Sequence, residues 1–263
     1  MTKPHATRAP GTRRKPAKAK PLDASPLAGI DVAVLAGGLG TRIADVLGDT
    51  PKVLAPIGGI GGRPFLSLLL DRLKGARKVV LCLGHLAPKV EAWLAANRPP
   101  MPVETVVEPQ QLGTAGALRF ALPHLASDPV LVMNGDSVVE TDLGAFVADH
   151  RRSGALGSLL AVEVPDGSRF GRLEIGAGGR LKRFVEKDPA ATGAAWINGG
   201  VYAFTPALLG QLAGADGPSL ERDFLSKLPE ATLHVAKRQA RFIDIGTPAS
   251  LAAAPGFFGQ AKP

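Results

Sequence analysis

The sequence has one cysteine, Cys82, one tyrosine and two tryptophans. It has no uninterrupted apolar run near the roughly 18 residues that a membrane span requires. A lone cysteine excludes an internal disulfide framework and any multi-cysteine zinc or iron–sulfur site. The five histidines (His5, His85, His124, His150, His234) are scattered without metal-ligand spacing. Aromatic residues make up only 5% of the chain, so no aromatic-rich basic surface is expected and specific nucleic-acid binding is not the expected role. The amino terminus lacks the apolar core of a secretion signal, which makes the cytoplasm the expected location. What remains is 263 residues, 45% of them hydrophobic, enough for one large α/β domain or two small ones with a substantial core.

The formal charge of +8 is unevenly placed. Residues 1–28 hold seven basic groups against one acid, Asp23, together with five prolines and almost no large apolar side chain. Such a segment buries too little surface to offset its ordering entropy, so a disordered tail is expected over residues 1–28 and a folded domain over 29–255. The body carries 24 basic and 22 acidic groups and is close to neutral.

From residue 30 onward, short apolar runs alternate with helical patterns. Strands are expected at Ile30–Leu35, Lys78–Leu83, Val103–Val107 and Val130–Met133. Between them, helices are expected at Pro64–Lys74, with Pro64 in its first turn, at Pro88–Ala96, and from a Thr114 cap to Leu122. Nearly all-apolar strands in this order imply a parallel sheet covered on both faces, a Rossmann-like doubly wound α/β fold. After residue 155 the rhythm changes. Strands at 156–164, 171–175, 180–186 and 196–204 are expected to add a mixed portion to the same sheet, with short helices after Thr205-Pro206 and over Leu220–Leu228.

In such sheets ligands bind beyond the carboxyl ends of the strands. The first strand ends at Ala36-Gly37-Gly38-Leu39-Gly40-Thr41-Arg42, and Pro51-Lys52 follows after eight more residues. Glycines there let backbone N–H groups approach an anion or a base. Two cations on one loop, Arg42 and Lys52, add a clamp for polyphosphate. No Gly-Lys-Ser/Thr of a Walker loop is present, and Ile43 stands where a dinucleotide fingerprint wants its third glycine.

Gly-Gly-x-Gly-Thr-Arg-(x8)-Pro-Lys resembles the signature of the sugar-1-phosphate nucleotidylyltransferases. Further matches follow in order: Leu112–Leu118, Asn134-Gly135-Asp136, Glu186-Lys187, Ile197–Tyr202 and Phe242–Pro248, so the likeness spans about residues 30–252. The Leu-Gly-Thr-Ala-Gly, Asn-Gly-Gly, Ser219–Phe224 and Phe-Ile-Asp-Ile-Gly-Thr-Pro segments most resemble the D-glycero-α-D-manno-heptose 1-phosphate guanylyltransferases. The resemblance implies a glycosyltransferase-A-like fold and transfer of a nucleotidyl group from an NTP, with GTP favoured, to a sugar 1-phosphate. It assigns Arg42 and Lys52 to the triphosphate. Ala36, Gly37, Gly38, Gly40, Thr41, Gln110, Gly113 and Thr114 fall to the nucleotide; Asn134, Gly135, Glu186, Lys187, Asn198 and Gly200 fall to the sugar phosphate. Asp136 and Asp244 become the ligands of Mg²⁺. The Glu-Pro that usually precedes Leu-Gly-Thr is replaced by Gln110-Gln111, with Glu108-Pro109 two residues earlier.

Plainer readings stay open at several positions. Asp136 also suits a turn, Asp244 a buried ion pair, Glu186-Lys187 an exposed pair and Asn198-Gly199 a hairpin. Uridylyl or thymidylyl transfer to a hexose or N-acetylmuramate 1-phosphate is the alternative activity, and a catalytically silent sugar-nucleotide-binding protein the alternative class. Monomer and homodimer are both compatible with the sequence.

Overall fold

The computed structural model describes residues 25–185, 190 and 192–259. The basic tail expected over residues 1–28 therefore lies outside it up to residue 24, and so do Glu186 and Lys187. Leu27, assigned to that tail from its composition, is buried against the body at 4% exposure.

The elements follow in chain order. Strand β1 (Asp31–Leu35) leads through the short helix α1 (Ala44–Leu47) and a two-residue ladder, β2 (Pro56–Ile57) with β3 (Arg63–Pro64), into α2 (Phe65–Asp71). Next come β4 (Lys78–Leu83), α3 (Ala87–Ala96), β5 (Val103–Val107), α4 (Gly113–Ala121), β6 (Val130–Asn134), β7 (Ser137–Val139) and α5 (Leu143–Ser153). The second half holds β8 (Gly157–Val164), β9 (Arg172–Ile175), β10 (Leu181–Val185), β11 (Ala195–Phe204), α6 (Pro206–Ala213), β12 (Leu233–Arg238), β13 (Phe242–Asp244) and α7 (Pro248–Phe258).

Strands β5, β4, β1 and β6 lie side by side and parallel, with Asp31 in register with Lys78 on one side and Val130 on the other. Beyond β6 the sheet turns mixed: β11 runs antiparallel to β6 and to β8, and β12 pairs parallel with β8. Alternation along the central strands explains their apolar sequence. Val32 and Val34 of β1 and Leu131 and Met133 of β6 face one layer of the core. Ala33, Val130 and Val132 face the other. Both faces are covered, so every position must be apolar. No helix among the described residues is long and apolar enough to cross a membrane.

Three local expectations are corrected. Pro64 precedes α2 in an extended conformation and pairs with Pro56, so the helix begins at Phe65. Leu112, not Thr114, stands at the start of α4. Residues 220–228 are not a regular helix: Leu220–Phe224 form one wide π turn and Leu225–Lys227 a 3-10 turn. The Leu220 N–H is drawn out to Thr114 Oγ1 at 2.8 Å. One buried charge interrupts the apolar pattern. Asp31, fully buried at the start of β1, pairs with Arg77 and accepts the backbone N–H groups of Ala126 and Ser127.

Helix α5 is tied to the sheet by a buried polar contact, His150 Nδ1 with Ser158 Oγ at 2.9 Å. Burial holds the His150 imidazole below its ordinary range, with Asp128 opposing and Arg151 and His234 adding to the effect. The unfolded chain then takes up a proton more readily than the folded one, so stability is lost as the pH falls below about 6.5. Urea unfolding at about pH 7.5 and about pH 5.5 should show lower stability at the acid value, with a smaller difference in His150→Asn. An unchanged difference in that variant would remove His150 from the account.

Candidate functional site

The carboxyl ends of β1 and β6 mark the point where strand order reverses, and the cleft opens there. Past Leu35 the chain crosses the sheet end close to its neighbours. Ala36 N–H donates to Cys82 O at 2.9 Å and Gly135 N–H to Leu35 O at 2.9 Å. Ala36, Gly37, Gly38 and Gly40 line one side of the cleft, Gly113 and Thr114 another, and Asn134, Gly135, Asp136 and Lys52 its far end. Thr41 and Arg42 are exposed outside these walls. At Gly135 a β-carbon would stand 2.8 Å from Leu35 O, and at Gly113 it would stand 2.5 Å from Pro218 O. The close approach inferred from the glycines is thus made first by backbone against backbone.

At the inner end of the cleft, the expected cationic and acidic groups come together. Lys52 Nζ pairs with Asp136 Oδ2 at 2.5 Å, and the lysine side chain is only 13% exposed. Asp136 follows β6 through Gly135 and joins β7, whose Ser137 faces Asp244 of β13; Ile245 N–H donates to Asp136 O at 2.9 Å. Two positions far apart in sequence are therefore fixed on adjacent backbones. Gly246 marks where the remaining groups converge: a β-carbon there would lie 2.6 Å from Asp244 Oδ1, 3.1 Å from Arg42 Nη2 and 3.3 Å from Lys52 Nζ. Burial, and then the Asp136 carboxylate, push the Asp244 carboxyl above its ordinary value, while the Gly246 N–H, Lys52 and Arg42 pull it back.

Among the described residues no group of three or more His, Cys, Asp or Glu side chains converges on a metal position. Two carboxylates with oxygen-only donors and open space alongside nevertheless fit Mg²⁺, which commonly takes one or two protein carboxylates and completes its shell with phosphate oxygens and water.

The base side of the cleft differs from the sequence expectation. Gln110 is exposed and does not line the cleft, whereas Gln111 and Glu108 do. Glu108 is the first residue beyond β5 and is only 9% exposed. Its Oε2 accepts the Leu112 N–H at 3.2 Å. Its Oε1 lies so near the turn that a β-carbon on Gly37 or Gly84 would stand 2.9 or 2.8 Å away. Burial raises the Glu108 carboxyl, with the Leu112 N–H opposing. The signal that points to it is the end of β5, just past which it stands two residues before Gln110. The buried thiol of Cys82 is pushed up to about 12 by burial and then by Glu108.

On the sugar side, β11 changes register between Asn198 and Tyr202, and Gly200 takes φ 70° in that bulge. A β-carbon on Gly200 would stand 2.7 Å from Asn134 Nδ2. Asn134 Oδ1 is buried and has no hydrogen-bond partner among the described residues, an acceptor left over at the cleft wall. The Asn198 amide, read from sequence as a ligand for the sugar, is committed on both sides: its Oδ1 accepts the Gly200 N–H and its Nδ2 donates to Tyr202 Oη at 2.7 Å. Tyr202 Oη in turn donates to Glu221 Oε1 at 2.6 Å, a buried link that the sequence did not announce. Glu186 and Lys187 lie outside the described residues, directly after Val185, the last residue of β10.

The comparisons agree with this geometry. The family model described as "Nucleotidyl transferase" matches residues 32–259. The chain is 33% identical over 224 residues to a putative mannose-1-phosphate guanyltransferase of Sulfolobus acidocaldarius, covering 83% of this chain but only 60% of that protein. It is 29% identical over 222 residues to the D-glycero-alpha-D-manno-heptose 1-phosphate guanylyltransferase of Aneurinibacillus thermoaerophilus, covering 83% of this chain and 94% of that one. The crystal structure of HddC from Yersinia pseudotuberculosis superposes with a TM-score of 0.77 at 32% identity, covering 87% of this chain and 99% of that one. The same protein complexed with GMP-PN superposes at 0.76. On the matched model, the shared fold and the cleft at its strand-order reversal, the chain belongs to the nucleotidyl transferase family.

Proposed function

We propose that this protein transfers a guanylyl group from GTP to a sugar 1-phosphate, a seven-carbon aldose 1-phosphate by its resemblance, and releases pyrophosphate. The observation that carries this reading is the convergence of Arg42 and Lys52 with Asp136 and Asp244 at the end of the glycine-rich turn. The GMP-PN complex of HddC and the guanylyltransferase names among the relatives support the choice of nucleotide.

The chemistry asks little covalent help of the protein. A phosphate oxygen of the sugar 1-phosphate is already an anion at neutral pH, so no general base is required. It attacks the α-phosphorus, forming the new P–O bond as the bond to the β-phosphate oxygen breaks and pyrophosphate departs. The barrier lies in bringing two polyanions together and in stabilising the charge that builds on the transferring group. Lys52, held by Asp136, and Arg42, beside Gly246, are suited to both tasks. Asp136 and Asp244 would hold Mg²⁺, which when bound supplies Lewis-acid neutralisation of phosphate charge. The same convergence speaks against a silent sugar-nucleotide-binding role, for which no such set of charges would be needed.

Glu108 accounts for a guanine preference. An ionised carboxylate only accepts hydrogen bonds, and guanine presents adjacent N1–H and N2–H donors. Uracil and thymine flank their single N3–H with carbonyl oxygens, which a carboxylate repels and an amide tolerates.

Three outcomes are expected. Lys52→Ala should lower turnover by about two orders of magnitude, the scale of losing one transition-state electrostatic contact, in a pyrophosphate-release assay; near-normal turnover would refute the role. Asp244→Asn should raise the Mg²⁺ concentration needed for half-maximal rate, and full activity at ordinary Mg²⁺ would sink the ligand assignment. Glu108→Gln should weaken GTP use by about tenfold or more while improving UTP or dTTP, on the scale of one bidentate base contact. A screen of four NTPs against a panel of sugar 1-phosphates tests the activity itself.

A further inference from the structure

A second cavity, of about 280 Å³, shares Asp244 with the reaction centre but none of the residues lining the nucleotide cleft. Phe242 and Asp244 are two apart on β13 and so lie on one face of that strand. The Phe170 ring meets Phe242 edge to face, with centroids 5.7 Å apart and an interplanar angle of 76°. Ala249 and Ala253, one turn apart on α7, present only methyl groups to the space. Arg169 borders it and makes no hydrogen bond or ion pair among the described residues.

The position of this cavity ties it to the acceptor. Phe170 stands two residues before Arg172, which opens β9 and is in register with Val185 of β10 and Ile197 of β11. Val185 is followed directly by Glu186 and Lys187, the pair that the resemblance assigns to the sugar phosphate. An acceptor whose phosphate sat near Asp244 would bring part of its carbon chain within reach of Phe170 and Phe242.

The lining then decides what kind of substituent fits. Aromatic and methyl surfaces receive the C–H faces of a carbohydrate chain. The Arg169 guanidinium, near Asp166 but without a hydrogen bond among the described residues, has N–H groups to donate to oxygens, and its planar fork suits neighbouring hydroxyls. A hydroxylated carbon chain satisfies both conditions.

We propose that this cavity receives the exocyclic polyol chain of the acceptor sugar and that Arg169, Phe170, Ala249 and Ala253 select acceptors longer than a hexose. The inference rests on the reading of the acceptor as a sugar 1-phosphate. Ala249 and Ala253 are both exposed, so a larger side chain fills the cavity and leaves the core alone. With GTP as donor, kcat/KM is measured for a seven-carbon and a six-carbon aldose 1-phosphate of the same ring configuration. In Ala253→Leu, and independently in Ala249→Leu, the ratio of the longer to the shorter acceptor should fall by about tenfold or more, the scale on which a pocket discriminates one carbon unit. Arg169→Ala should lower the same ratio through KM. An unchanged ratio in all three variants, with unaltered thermal unfolding midpoints, overturns the cavity assignment alone. A wild-type protein inactive on every pairing of NTP and sugar 1-phosphate overturns the parent reading and this one with it.

Discussion

Two carboxylates held next to each other in a half-buried place repel, and the structure keeps them there. Asp136 and Asp244 reach one another because β7 and β13 form a short antiparallel ladder outside the main sheet, with Ile245 bonded to the Asp136 carbonyl. Burial first, and then the Asp136 carboxylate, raise the Asp244 carboxyl above its ordinary value. Lys52 and Arg42 pull it back from the opposite side, and they do so from the loop that follows the glycine turn. Each element around the cleft can be understood as serving this one balance of charge. The cations stand paired with the acids that face them.

The glycines set the geometry in which the balance works. At Gly246, Gly200 and Gly135 the space a side chain would take is already held by a carboxylate, an amide or a carbonyl. The wall can therefore be dense and polar together, which side chains alone could not achieve. The same principle operates around Glu108, whose carboxylate is wedged against Gly37 and Gly84. Its orientation is set by the backbone N–H of Leu112 and by the register of β5.

Much of this was legible in the sequence where one physical rule dominated. Strands β4 and β5 have the bounds expected for them: β4 is buried from Val79 to Leu83, while β5, at the sheet edge, keeps Glu104 and Thr105 in part-buried positions. The glycine turn, Arg42 and Lys52 stood out by residue type and spacing, and Asp136 and Asp244 by the resemblance; the structure brings these positions close together. What could not be read depended on partners distant in the chain. Asp31 sits in an apolar strand because Arg77 and the Ala126-Ser127 backbone meet it there. Thr114 looks like a helix cap, yet its hydroxyl serves Leu220, more than a hundred residues on. Asn198 looks like a ligand for a polyhydroxylated substrate, but Tyr202 and Gly200 claim its amide. Local patterns give such side chains a chemistry but not an address.

Strand β11 has a role that reaches past its length. Only its last four residues, Val201–Phe204, pair with the parallel half of the sheet, while its first four, Ala195–Asn198, pair with β8 and meet β9. Tyr202–Phe204 pair with β8 on their other side, so the stretch after the bulge is clamped between β6 and β8 while the stretch before it leans on β8 and β9 alone. A change of length before the bulge is therefore taken up against β8 and β9, on the side of the strand away from Asn134 of β6.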